Sequence, residues 1–433
     1  MAAQLRHTDR DGAPRPSFRV LLHNRRFMRL WTAQIISNLG DWAYSLAVAI
    51  TFTATLQGGA LVRAMATLLT VEGVTSTVVG LTIAGPIADR YPRARVMVVA
   101  DVARCAAVAS LLLPNGLAWT HIMVVAAVLG SFRSIFHPAM MSSVPTIVSR
   151  DELAVANGVL TATFHLAIMI GPAIGGVLVA TIGADGAFVF NAASFGVSAL
   201  LLIGLRLSRP AREGPPAGRF TPLEDLVEGA RFLWRSRVAR GITAVMGLSL
   251  FLMAMQTTFQ PAFVGEVLVP SDDLTRRAEV IAAMVAMFGA GMVLGSVVGP
   301  ALVHRVPARP LYASATAVVG LAFGAASRQH DIPVVVAAWG VAGLSGGLVN
   351  VLYETLLQVH TPDRFRGRVF AAVESVSDGA YVLGAAIVAL FWTATTPSTA
   401  LFRVALGFGV VSLLTLWLLP NQTSVRGEPV DEP

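Results

Sequence analysis

The chain is 433 residues long, 55% apolar and 13% charged, with a formal net charge of +7 and a mean hydropathy of +0.68. That balance excludes a soluble globular domain and describes an integral membrane protein. One cysteine, Cys105, allows no internal disulfide, the eight histidines lack metal-ligand spacing and no ATP-binding P-loop is present, so no metal, cofactor or enzymatic chemistry is expected.

A hydrocarbon core about 30 Å thick is crossed by about 20 largely apolar residues in a helix. Twelve stretches of that kind are present, at residues 28–54, 61–84, 95–113, 119–143, 153–181, 187–205, 239–264, 278–303, 310–327, 333–358, 369–394 and 399–419. Their Gly, Ala and Ser content favours closely packed helices over a barrel of alternating strands.

Ahead of helix 1, residues 1–26 are rich in arginine and lack an apolar segment, so helix 1 is expected to act as the first insertion signal. All 32 cationic residues are arginine. Apart from one in helix 4 and from Arg63, Arg276, Arg277, Arg328 and Arg403, they read as lying in the tails, in loops after even-numbered helices or at helix ends beside them. The positive-inside rule then places both termini in the cytoplasm and the protein in the inner membrane. The net charge is a topology signal beside anionic lipid, not a nucleic-acid face.

Helix 1 carries Gln34, Asn38, Asp41 and Ser45 at steps of 4, 3 and 4, a polar stripe on one face. The stripe either lines a cavity, with Asp41 protonatable, or forms a hydrogen-bonded seam with Asp41 as a fixed partner. Trp42 beside it and Phe136 of helix 4 are candidate walls for an apolar cargo. Helix 2 adds Glu72 deep in the span and closes on "GPIADRYPRAR", residues 85–95. There Gly85 lets helix ends approach, Asp89 can cap or pair, and Arg90, Arg93 and Arg95 hold the loop at the headgroups. In helix 4, Arg133 and His137 stand one turn apart. Beside Asp41, Arg133 would either tune that acid or make a structural pair with it, and His137 is a relay candidate.

Helix 5 contains "GVLTATFHLAIMIGPAIGGVL", with Gly158, Gly171, Pro172, Gly175 and Gly176. Small residues let helices meet backbone to backbone, and Pro172 bends the helix. The longest polar interruption follows, "LSRPAREGPPAGRF" as linker and "TPLEDLVEGARFLWRSR" as an amphipathic helix capped by Thr221 and begun by Pro222. Helix 7 places Gln256 and Gln260 one turn apart, helix 10 puts Asn350, Glu354 and Gln358 on one face, and helix 11 does the same with Glu374, Asp378 and Tyr381. Asp378 stands 213 residues after His165 of helix 5, so both halves carry an ionisable group at that level.

Helix 8 ends in "GPALVHRVPAR", 214 residues after the similar stretch at Gly85, and Asp151 and Asp363 open matching loops 212 residues apart. Two landmarks with one offset mark a duplication. The fold class is therefore read as all-α, with twelve transmembrane helices in two six-helix bundles. The expected organisation is a tail at 1–26, a bundle at 27–206, a cytoplasmic linker at 207–238, a second bundle at 239–420 and a tail at 421–433.

"GPIADRYPRAR" resembles the loop signature of the major facilitator superfamily, Gly-x-x-x-Asp-Arg-x-Gly-Arg-Arg, with Gly85, Asp89, Arg90 and Arg93 in place, Pro92 and Ala94 departing, and Arg95 one position late. The helix-5 run resembles the motif of that superfamily's proton-coupled exporters, with Ala167 replacing one glycine. Leu129 and Arg133 partly resemble its helix-4 motif, without the Gln-Gly that should follow. Together "NRRFMRLWTAQIISNLGDW", "GPAIGGVL" and "TPDRFRGRVF" resemble the branch that holds enterobactin exporters and macrolide-type efflux proteins. The resemblance implies that Asp89 and Arg90 lock the halves on the cytoplasmic side in one conformation; Val303 and His304 stand at the second copy's acid position. It implies a monomeric secondary transporter whose partners are a small amphiphilic or hydrophobic cargo, protons and the bilayer, working as a proton-coupled exporter by alternating access. Uptake or lysophospholipid transport on the same fold, or a non-transporting membrane sensor, are the alternatives.

Overall fold

The computed structural model describes residues 18–84, 87, 91–114, 117–149, 152–205, 230–271, 273–303, 305–361, 366–391 and 395–420. Most of the linker, including the start of the expected amphipathic helix, lies outside these, as do Gly85, Asp89 and Arg90 of the loop motif. The regular structure among the described residues is helical, and eight of the helical segments are long and apolar enough to cross a membrane.

A short helix Phe18–His23 leads into α1 (Arg25–Thr55). Asn24 sets the junction: its side-chain oxygen accepts from the amides of Arg26 at 3.1 Å and Phe27 at 3.2 Å, and its Nδ2 donates to the Ile147 carbonyl at 2.5 Å. With Leu21 fully buried, the end of the expected tail packs onto the first bundle. α2 (Gly58–Val79) runs on through a π turn, Gly80–Ala84, to where the sequence ends that span. α3 (Arg93–Ala109) and α4 (Trp119–Ser143) follow. Helix Leu153–Leu202 is interrupted at Gly183, whose φ of 73° and ψ of 178° suit only glycine, giving α5 (153–182) and α6 (184–202). Past the linker come α7 (Arg237–Phe263) with its π turn Val264–Leu268, α8 (Leu274–Val303), α9 (Ala308–Ala326), α10 (Ile332–Val359), α11 (Arg366–Phe391) and α12 (Pro397–Leu418). Ser236 caps α7 by accepting from the Ala239 amide at 3.3 Å.

Lipid is as apolar as a leucine side chain, so helices in a membrane gain little by hiding apolar surface from it and depend on close approach. The α8–α10 seam shows this. A methyl at Gly291, Gly295, Gly343 or Gly347 would strike the backbone carbonyl of Gly340, Leu344, Phe288 or Met292 respectively.

Among the described residues, three apolar cores reveal how the halves are arranged. One is continuous across both halves and runs from Ala43–Phe52 of α1 and Phe188 of α6 to Phe259–Leu268 of α7 and Phe323 of α9. The other two are separate. One belongs to the first half, around Phe27, Met97, Ile135 and Leu202, and one to the second, around Ile242, Tyr312, Leu352 and Val373. Among the described residues, the molecule is thus joined at the end where α1 finishes and α8 begins, and its core is divided at the end where the chain enters α1 and α7.

Candidate functional site

On α1 the polar stripe is partly self-satisfied. Gln34 Nε2 donates to Asn38 Oδ1 at 2.8 Å, and Ser45 Oγ donates to the Asp41 carbonyl at 2.9 Å; neither bond uses the half-buried Asp41 carboxylate. Trp42 fills the groove that α5 leaves open. A methyl at Gly171 would run into its ring, and one at Gly175 would lie 2.9 Å from Leu46 Cδ1 and 3.1 Å from the Trp42 carbonyl oxygen. Gly158, Pro172 and Gly176 are on the same helix, and their side-chain positions lie outside the described residues.

The acid that Arg133 meets is Glu72, with Nη1 to Oε1 at 3.8 Å and side chains 61% and 31% exposed. Asp41, the acid the sequence suggested for Arg133, stays within its electrostatic reach, while the ion pair is with Glu72. Gly130, one turn earlier, seats α4 directly on the Glu72 carbonyl of α2, and so delivers Arg133 to Glu72. Asp41, Glu72 and Arg133 remain within electrostatic reach of one another. From the other half, Asp378 of α11 is within reach of Arg133, and Tyr381 reaches Glu72 and hydrogen-bonds Thr257 of α7. A polar cluster is thereby assembled from α1, α2 and α4 on one side and α7 and α11 on the other. His137 is exposed one turn beyond Arg133.

A second charged group has no counterpart in the sequence reading. Asp101 and Arg104 of α3 form a buried ion pair, 0% and 5% exposed. Ser198 Oγ of α6 donates to Asp101 Oδ2 at 2.6 Å, and the Arg104 guanidinium lies 4.7 Å from the centre of the Phe136 ring and 4.4 Å from that of Phe195. Phe136, expected to line a cavity, is buried under this guanidinium instead. The signal available was two opposite charges three residues apart inside a span, which cannot face lipid singly. Reading Arg104 among the helix-end arginines hid it.

In the second half, Gln256 and Gln260 are buried and the Nε2 of each has no hydrogen-bond partner. On α10, Asn350 Nδ2 donates to the exposed Glu354 Oε1 at 3.3 Å. The side chains of His165, Gln358 and Glu374, and those of Val303 and His304, lie outside the described residues.

Of the loop motif, Arg93 is tied within its own half, Nη1 donating to the Ser142 carbonyl at 2.6 Å, and Arg95 is exposed. At the joined end a hydrogen bond between the halves comes from a residue that the sequence places apart from the other arginines. Buried Arg277 donates through Nε to the Val269 carbonyl at 3.1 Å, through Nη2 to Gly265 at 3.2 Å, and through Nη1 to Thr53 of α1 at 3.2 Å.

Two six-helix halves, joined at one end, divided at the other and sharing a polar cluster between them, define a multi-pass membrane transporter. The model of the Major Facilitator Superfamily matches residues 30–271 and 263–433, and the chain belongs to that family. It is 30% identical over 317 residues to the multidrug efflux pump Tap of Mycobacterium tuberculosis, covering 70% of this chain and 72% of that protein. It is 27% identical over 355 residues to the enterobactin exporter EntS of Escherichia coli, covering 81% and 82%. Among solved structures, a bacterial homolog of the human lysosomal transporter Spinster, inward-facing and unoccupied, superposes with a TM-score of 0.69 at 14% identity over 95% of this chain and 100% of that one. The protein is accordingly a transporter of small-molecule cargo, and the resemblance to the efflux branch holds.

Proposed function

We propose that the protein is a proton-coupled exporter of a small amphiphilic or hydrophobic molecule, of the drug, macrolide or siderophore class, working by alternating access as a monomer in the inner membrane. The observation that carries this reading is the apolar core, single at one end and split at the other, with Asp41, Glu72 and Arg133 between the ends. Such an arrangement is one state of a rocking pair of bundles. With both termini in the cytoplasm, the split end is the cytoplasmic one and the state is inward-facing. The names of Tap and EntS support efflux as the direction.

In this mechanism Asp41 releases its proton toward the cytoplasm as cargo enters between the bundles, and a proton taken from outside drives the return by changing which conformation is favoured. Glu72 and Arg133, a half-exposed pair, supply the polar wall across which cargo or water competes for Asp41. The domain boundaries fit this: bundles at 27–206 and 239–420 move against each other about the linker at 207–238, and Gly85, Asp89, Arg90, Arg93 and Arg95 form the cytoplasmic latch of the opposite state. Flux assays in proteoliposomes test direction. Cargo accumulated in inside-out vesicles with an acidic lumen, as protons leave, supports export, whereas cargo uptake into right-side-out vesicles overturns it in favour of an importer or lipid carrier.

A further inference from the structure

At the joined end the first half holds a cleft that the mechanism leaves unused. Gly58, with a φ of 54°, turns the chain from α1 back into α2. Between these two helix ends and the start of α4 lies a cavity of about 290 Å³. Its buried floor is Thr51 and Phe52 of α1 and Ala64 of α2, while Thr55, Arg63 and Trp119 stand at its exposed rim. Phe52 and Trp119 form an aromatic wall, with ring centres 5.6 Å apart and planes at 42°. Thr51 follows Asp41 by ten residues on one helix, about 15 Å along its axis. The cleft is therefore apart from the polar cluster, and all its walls belong to the first half, whereas both halves build the cluster.

The lining carries one charge, and it is positive. The hydroxyl protons of Thr51, Thr55 and Thr67 are given to carbonyls of their own helices, at 2.8, 3.0 and 2.7 Å. The ion pairs among the described residues are Arg104–Asp101, Arg133–Glu72 and Arg276–Glu279. The Arg63 guanidinium thus keeps its five N–H donors for another partner, and the Trp119 indole N–H is uncommitted among the described residues as well. α2 and α4 both begin at the cleft, so the positive ends of their dipoles add to the sign. Arg63 is also one of the few arginines that the positive-inside rule does not explain. At the roughly 30 Å³ that a water molecule occupies in the liquid, the cavity holds about ten non-hydrogen atoms, too few for a macrolide or a whole phospholipid.

We propose that this cleft is a binding site for a small amphiphilic anion, separate from the cargo path. The apolar body, aromatic or a short chain, lies on the floor against the Phe52–Trp119 wall, and the carboxylate, sulfonate or phosphate head rests at the rim on Arg63 and the Trp119 N–H. Floor and rim impose that orientation, because the cation stands at the exposed mouth and the buried end offers no free side-chain donor. A dissolved organic acid and an anionic lipid that inserts part of one chain both present this chemistry.

Photolabelling of the purified full-length chain in detergent with 4-azidobenzoate, mapped by peptide mass, reads occupancy of the cleft. Saturable labelling is expected in the peptides that hold Phe52, Arg63 and Trp119. The neutral 4-azidobenzamide is expected to label them about tenfold less, and Arg63→Gln to lower labelling by the acid about tenfold while leaving labelling by the amide unchanged. Arg63→Lys keeps the charge and is expected to retain labelling within about threefold. Arg63 is exposed and has no partner among the described residues, so Arg63→Gln is expected to keep the natural unfolding midpoint, which separates lost binding from lost folding. Octanoate and phosphatidylglycerol then compete with the probe. Displacement by octanoate alone assigns the ligand to the dissolved acids, and displacement by phosphatidylglycerol assigns it to the lipids. Displacement by neither, equal labelling by acid and amide, or undiminished labelling in Arg63→Gln overturns the proposal. No transport enters this readout, so a failure to see cargo-linked proton movement would remove the proton-coupled reading and leave this site undisturbed.

Discussion

Arg277→Ala removes the one described side chain that donates from the second half to the backbone of α1 at the joined end. Its bonds to Val269 and Gly265 lie within its own half and are lost in both conformations, so they cancel from the difference between states. Among its described hydrogen bonds, the one to the Thr53 carbonyl, at 3.2 Å, distinguishes joined from parted halves. A hydrogen bond from a charged donor contributes roughly 1.5–3 kcal/mol, which corresponds to roughly 10- to 150-fold in the ratio of the two states. Thr53 is 3% exposed, so a cysteine placed there in a Cys105→Ser background is alkylated only when the joined end opens. Its labelling rate by an impermeant maleimide scales with the open population even when that population is small. The Arg277→Ala chain is expected to label at least about tenfold faster in intact cells. Equal rates with and without Arg277 would refute the reasoning that this guanidinium holds the halves together.

The other expectations follow from packing and charge. Gly171→Ala drives a methyl into the Trp42 ring and is expected to lower stability by about 1–3 kcal/mol, with partial recovery in a Trp42→Ala background, read as thermal unfolding in detergent. Gly343→Ala is expected to cost more than Gly340→Ala, because the first meets the Phe288 backbone carbonyl and the second only the flexible Met287 Cε at 3.2 Å. The exposed Glu72–Arg133 pair is expected to contribute under about 1 kcal/mol, so Glu72→Gln leaves the unfolding midpoint nearly unchanged while altering transport.

Much of the fold was legible because lipid imposes a length on each apolar segment and a charge on each connecting loop. The break between helices 5 and 6 was placed between residues 181 and 187, and the chain turns there on a single glycine, Gly183, and not in a loop. The α5 glycines were legible as a packing surface, but their partner Trp42 was not, since spacing gives a face and never its neighbour. Arg133 was found as an intramembrane charge, but its ion pair with Glu72 was not, for the same reason: Gly130, which seats α4 on Glu72, says nothing about α2 until the helices are docked. Asp101 and Arg104 went unread because arginine serves both loop topology and buried pairing, and composition does not separate the two uses. Arg277 was set apart as an outer-side arginine, while its three described hydrogen bonds go to backbone carbonyls, which no side-chain pattern could reveal.

Proton coupling through Asp41 meets its sharpest trial in purified chain reconstituted into liposomes, with cargo-linked proton movement followed by an internal pH dye over siderophores, macrolides and hydrophobic dyes. The natural chain is expected to move protons against its cargo, and Asp41→Asn to exchange cargo across the bilayer with no accompanying proton movement and no response to an imposed pH gradient. An Asp41→Asn chain that moves protons with a confirmed cargo as the natural chain does would contradict it.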